Sequence, residues 1–259
     1  MSWNCAVNPN AKSGIKAVMT HRKKQAKKKV GRCVFCGVRG PITREHIPAK
    51  AFFPSPLPSN LITVPSCRKC NSEWQKDEDY FRLCLVARED TKGNRSRDEL
   101  FPTVKRSLTR VDARGFANKF LNSLAEVEEF TPAGIYVRSG VSVSFEGARL
   151  DRVAEKVIRG LFYLETGRRV PPDYRVAIVH QSRVRHLRPA FRTDLLGFVA
   201  MVLETKPREF GPAFKYWYLP SPNGWARSHW ILEFYGSREF YCFTAPIISA
   251  PENAARLPT

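Results

Sequence analysis

The order of apolar and polar positions divides the 259-residue chain into three stretches. The first, residues 1–30, is a basic arm that repels itself and cannot pack a core, so it is expected to be disordered or partly helical. The second, residues 31–90, contains Pro41, Pro48, Pro54, Pro56, Pro58 and Pro65. These prolines forbid long regular elements, and the expectation is short strands at Arg32–Phe35, around Glu45–Ile47 and at Leu61–Val64. After Asn71 the period changes. Trp74, Asp77 or Glu78, Phe81 and Leu85 recur at steps of three or four, which predicts a helix through Glu73–Arg88.

Beyond a polar stretch (Glu89–Asp98), residues 99–250 read as a separate α+β unit with antiparallel strands. Phe116, Phe120, Leu124 and Val127 share one helical face. Ile135, Val137, Val141, Val143 and Phe145 alternate with polar residues, as in a half-buried hairpin turned at Ser139-Gly140. Val153, Val157, Leu161 and Leu164 mark an amphipathic helix entered from Asp151 and stopped by Gly167. Strands are predicted at Tyr174–Val179, Phe198–Leu203 and Phe214–Leu219. A terminal hairpin follows, Trp230–Tyr235 and Glu239–Phe243, turned at Gly236-Ser237. The expected class is therefore α+β: an arm, a small cysteine-bearing domain and a larger C-terminal domain.

Composition narrows the setting. With 43% hydrophobic and 26% charged residues the chain is an ordinary globular protein. Its longest apolar run, Leu195–Leu203, is too short to span a bilayer, and the polar, basic N-terminus lacks a secretory h-region. Four of the seven cysteines form Cys-x-x-Cys pairs. That usage favours metal ligation in a reducing, cytoplasmic compartment over a disulfide framework. Nothing in the sequence fixes an oligomeric state.

Charge changes the picture more. The formal net charge is +19, and the first 44 residues carry eleven Lys/Arg and no acid; Glu45 is the first carboxylate of the chain. An arm bearing Lys23, Lys24, Lys27, Lys28 and Lys29 is attracted to polyphosphate, with sequence-independent, salt-sensitive affinity. Nucleic acid is the expected partner. A solvated tail without a partner, or a nuclear address, are the competing readings of the same cluster.

The chemistry is concentrated between the cysteine pairs. Cys33-x-x-Cys36 and Cys67-x-x-Cys70 bracket the run Thr43-Arg44-Glu45-His46-Ile47-Pro48, and Asn71 follows the second pair directly. Four thiolates suit one tetrahedral Zn²⁺, a closed structural site that would pin the ends of a proline-rich loop. Two redox dithiols are the alternative, but neither pair sits in a βαβ pattern. A carboxylate and a carboxamide oxygen are hard ligands suited to Mg²⁺ or Mn²⁺, and a neutral imidazole nearby can take a proton from water. If Glu45 and His46 lie on a strand their side chains leave on opposite faces; in a turn they can converge. His21, His180, His186, His229, Cys5, Cys84 and Cys242 lack ligand spacing and read as surface or core.

The run CVFCG…TREHIPAKAFFP…SNLITVPSCRKCN resembles the zinc-containing Cys₄ branch of the HNH endonuclease (ββα-metal) family, over residues 33–82. The resemblance implies a β-hairpin followed by a helix around one catalytic divalent ion. His46 would be the general base, Glu45 and Asn71 the ligands of a catalytic Mg²⁺ or Mn²⁺, and Cys33, Cys36, Cys67 and Cys70 the ligands of structural zinc. Asn60 looks like the family's middle Asn, which braces the loop carrying the base. Its distance to Cys67 is longer than in compact members. Asn71 stands where many members have His, and Pro48 follows the family's habit of a proline soon after the base. Arg44 is the cation placed to share the phosphate charge. The implied reaction is metal-assisted phosphodiester hydrolysis, with DNA the favoured substrate. The alternative is a zinc-stabilised nucleic-acid-binding protein that does not cut.

Overall fold

The computed structural model describes residues 29–131 and 133–247. Lys23, Lys24, Lys27 and Lys28 of the expected arm lie outside the described residues, as do Cys5 and His21. The chain opens with β1 (Val30–Arg32), β2 (Arg39–Ile47) and β3 (Ile62–Cys67), an antiparallel sheet in that order. Two short helices follow, α1 (Arg68–Glu73) and α2 (Gln75–Val86), interrupted at Trp74. The helix expected over Glu73–Arg88 is thus mainly α2. The first strand lies slightly earlier than expected, because residues 34–36 form the turn that carries a cysteine pair.

Helix α3 (Arg95–Leu108) begins in what reads as a polar connection. Its signal is local: Asn94 caps it by accepting from the Arg97 N–H, and Asn94 Nδ2 also donates to the Pro212 carbonyl at 2.9 Å. Thr91, fully buried, donates to the carbonyls of Leu85 and Arg88. Residues 89–98 are therefore a tied corner.

Next come α4 (Arg114–Leu121) and a projecting hairpin, β4 (Leu124–Phe130) with β5 (Tyr136–Val143). Leu124 and Val127 belong to β4, not to a continuing helix, because α4 ends at Asn122. The hairpin turns at 131–135, with Gly134 at positive φ, while Ser139 and Gly140 sit within β5 opposite Glu128 and Val127. Most of β5 is exposed, so its alternation does not mark a core face.

Helix α5 (Gly147–Thr166) is the long amphipathic element, ended by Gly167 at φ 67°. It leads to β6 (Tyr174–His180), the short α6 (Gln181–Val184) and α7 (Pro189–Leu203). The expected strand at 198–203 is the end of α7. A short apolar run carries no period that separates strand from helix, and Pro189 at the first turn favours the helix. Then β7 (Arg208–Phe210), β8 (Phe214–Pro220), β9 (Ser228–Phe234) and β10 (Ser237–Pro246) complete an antiparallel sheet in the order β6-β10-β9-β8-β7. The fold is α+β with antiparallel sheets, and no described helix is long and apolar enough to cross a membrane.

One face of this larger sheet packs on α2 and α5; the other buries Trp217 and Ile231 beneath Val202 of α7. Phe81 of α2 is the hinge of the main core. Its ring lies 5.4 Å from Phe52, 5.2 Å from Phe234 and 5.4 Å from Phe240. The segments 31–90 and 99–250 consequently share one continuous hydrophobic core.

Candidate metal centre and adjoining cleft

The first cysteine pair sits in the turn between β1 and β2. Cys33 N–H donates to the Val38 carbonyl and Gly37 N–H to the Cys33 carbonyl, closing a tight loop. Gly37 has φ 78°, a conformation that favours glycine, and a Cβ there would displace the Arg169 guanidinium. Arg169, just after α5, donates to the carbonyls of Val34 at 2.8 Å and Phe35 at 3.2 Å. The second pair ends β3 and opens α1, where Cys67 Sγ accepts from the Cys70 N–H.

All four Sγ atoms lie within 4.8 Å of one another, and Cys36 Sγ is 3.8 Å from Cys67 Sγ. A tetrahedron with Zn–S bonds of about 2.3 Å has edges of about 3.8 Å, so the spacing and the soft donors fit zinc. The four cysteines can hold a metal such as zinc. Burial opposes ionisation of Cys33, but hydrogen bonds with the backbone of Cys36, Cys67 and Phe35 bring its pKa down to about 6. Burial and the neighbouring thiols push Cys70 the other way. Thiols this close cannot all ionise without a cation between them.

Beside this cluster lies a cleft of about 430 Å³ lined by Arg44, Glu45, His46, Asn71 and Glu78 among others. Glu45 and His46 are on strand β2, opposite Val64 and Thr63 of β3. Strand alternation turns Glu45 inward, to 7% exposure, while His46 is half-buried. Both still border the cleft, because it opens at the end of the strand. Burial first, and the Lys50 charge second, lower the His46 pKa, so its imidazole is neutral at neutral pH. Asn71 is fixed in α1 directly after Cys70, and its Nδ2 donates to Thr43 Oγ1 at 2.9 Å. That bond leaves its Oδ1 as an acceptor.

Two residues of this site escape the sequence reading. Lys156 of α5, 1% exposed, donates to Glu45 Oε1 at 2.6 Å and also to Glu78 Oε1. The same ammonium lies 5.3 Å from the centroid of the Trp74 ring. Burial raises the Glu78 pKa despite Lys156. Helix α5 comes this close because Gly160 has no Cβ to strike Ile47 of β2. The signal was available: Lys156 falls on the apolar face of α5 beside Val153 and Val157, where a charge needs a partner. Glu78 is in the stretch that continues the motif, one of two candidates for the helix face.

Asn60 does not join the group. Its side-chain amide donates to the Glu209 carbonyl at 2.8 Å, tying the proline-rich loop to β7, and it does not line the cleft. Arg44 is exposed at the cleft rim. Lys156 engages one oxygen of Glu45, and Asn71 is anchored through its Nδ2 to Thr43. Comparison of the chain with protein-family models, curated proteins and solved structures finds no match.

Proposed function

We propose that the chain is a metal-dependent endonuclease of the HNH type that hydrolyses nucleic-acid phosphodiester bonds, with DNA the favoured substrate. The observation that carries this reading is the meeting of Glu45, His46 and Asn71 on one cleft beside the four-cysteine cluster. The succession of β2, β3 and α1, with β2 and α1 lining the cleft, supports a ββα-metal arrangement.

In this reading the cysteines hold zinc as a frame, fixing Asn71 at the start of α1 and the β2–β3 pair above it. His46, neutral by burial, accepts a proton from the attacking water. Glu45 and Asn71 would hold Mg²⁺ or Mn²⁺, which supplies Lewis-acid stabilisation of charge on the phosphate and the leaving oxygen. Arg44 meets a phosphate at the rim. The test is plasmid nicking in Mg²⁺, Mn²⁺ and EDTA. Wild type should nick with either ion and stop in EDTA. His46→Ala should lose roughly 10²-fold or more in rate, the scale of general-base catalysis, while keeping its zinc and its DNA affinity. Nicking by His46→Ala at the wild-type rate rejects the assigned base.

A second reading has its own support. Lys156, buried and outside the cleft lining, already places a positive charge on the Glu45 carboxylate, which opposes a divalent cation there. That favours a zinc-stabilised nucleic-acid binder without cleavage. Wild-type protein that binds DNA and leaves it intact in every lane establishes this reading instead.

A further inference from the structure

A second depression, about 1070 Å³, runs over the β1–β2–β3 sheet to the end of α5 and shares Arg44 with the cleft. Its rim carries Lys29, Arg32, Arg44 and Arg168, all exposed, and no carboxylate lines it among the described residues. This contrasts with the rest of α5, where Arg149, Arg152 and Arg159 are each paired with an acid. Arg168 lies 4.9 Å from the Trp225 ring centroid, but no acid among the described residues lines the groove, and four like charges there repel one another at a cost that an anionic ligand removes. Lys29, the first described residue, lines the groove.

The floor is of different character. Ile42, Pro65 and Tyr163 offer apolar, half-buried surface between the cations. A paired duplex turns its phosphates outward and keeps its base faces stacked inside, so it has no use for such a floor. An unpaired strand presents both a phosphate chain and free base faces, and a cationic rim over an apolar and aromatic floor matches both. Arg169, which also borders the groove, is already engaged with the carbonyls of Val34 and Phe35. It fixes the groove wall to the cysteine turn.

We propose that this groove receives an unpaired stretch of nucleic-acid strand. Only its placement next to a scissile phosphate, through the shared Arg44, rests on the nuclease reading. The groove thus joins the two halves of the chain, β1 and β2 from one and the end of α5 from the other.

The test is fluorescence anisotropy with labelled single-stranded and duplex oligonucleotides of one sequence, in DNA and RNA forms, on His46→Ala protein across a salt series. Single strands should bind roughly tenfold more tightly than duplex, the effect of about one stacked base. Adding Arg32→Ala with Arg168→Ala, both exposed positions, should weaken single-strand binding at least tenfold. It should also lower the log–log salt slope by about 1.4, or about 0.7 per lost phosphate contact. Tyr163→Leu should remove the preference for single strands while leaving duplex affinity unchanged. The N-terminal segment is present in every variant, so the differences report the groove. Equal affinity for both forms, or an unchanged slope in the double variant, overturns the proposal. Protein that shows this preference but never nicks plasmid refutes the nuclease reading and leaves the groove standing. Cutting without strand preference does the reverse.

Discussion

The two principal sheets are held by different means. The β1–β2–β3 sheet is small and laced with proline; its buried apolar residues are few, chiefly Ile47 and Val64, and its far end is gathered by four thiols. The β6–β10 sheet buries Leu232 together with the packed rings of Phe214, Tyr216, Trp230, Phe234 and Phe240. A metal held by these thiols would supplement packing where the chain buries little apolar surface. The consequence falls on the cleft, since Glu45, His46 and Asn71 all belong to the thiol-held part. A metal on the thiols would help fix their geometry, alongside the contact that Lys156 of the core helix makes with Glu45.

The sharpest way to break this contrast is to remove the thiols. Replacing Cys36 and Cys67 together by Ser should reduce bound zinc from about one per chain to none by elemental analysis. Structural zinc contributes about 10–16 kcal/mol in small zinc domains, so this is the largest effect expected. Amide exchange should rise across β1, β2, β3 and α1 while β8, β9 and β10 stay protected. Uniform loss of protection in both sheets refutes the distinction; full zinc content in the variant refutes the ligand set.

The contrast is bridged by Phe81, whose ring touches Phe52 beneath the small sheet and Phe234 and Phe240 of the large one. Phe81→Ala should destabilise the chain by about 3–5 kcal/mol, the cost of a large buried cavity. Because the core is continuous, both sheets should unfold in one transition of lower midpoint. Two separate transitions in denaturant would show that the halves are independent, with the boundary near residue 90 suggested by the polar stretch.

These features differ in how far the sequence reveals them. The cysteine cluster is legible because thiol ligation is local: two Cys-x-x-Cys turns specify donor type and number, and folding has only to bring them together. Helix α5 is legible because its apolar face and Gly167 agree. The 198–203 segment is not, since a run of six apolar residues fits strand or helix until Trp217 and Ile231 show which surface it covers. Asn60 illustrates the limit of order along the chain. It occupies the motif's middle place, yet Glu209, distant in sequence, takes its hydrogen bond. Lys156 stands out as a lone charge on an apolar face, but its partners Glu45 and Glu78 become identifiable only when Gly160 packs on Ile47.

The seam between the two regions offers the finest test. Asp77 of α2 receives Arg149 Nε at 2.7 Å and Arg152 Nε at 2.8 Å from α5, and Arg149 Nη2 also reaches the Lys76 carbonyl. Burial alone would raise the Asp77 pKa, but the two arginines outweigh it and hold the carboxyl below its ordinary 3.8. A folded-state value depressed in this way adds stability that is present above the unfolded value and is lost as pH falls through the folded one. Arg152 is half exposed, so the network is screened and Asp77→Asn should cost only about 1 kcal/mol at pH 7. The gap between wild type and variant, measured by urea denaturation, should close as pH drops below about 4. A gap that persists or widens at pH 3 would mean that Asp77 acts through packing and not through charge. In that case α2 and α5 are joined as the large sheet is, by contact, and the contrast between the regions narrows to the four thiols alone.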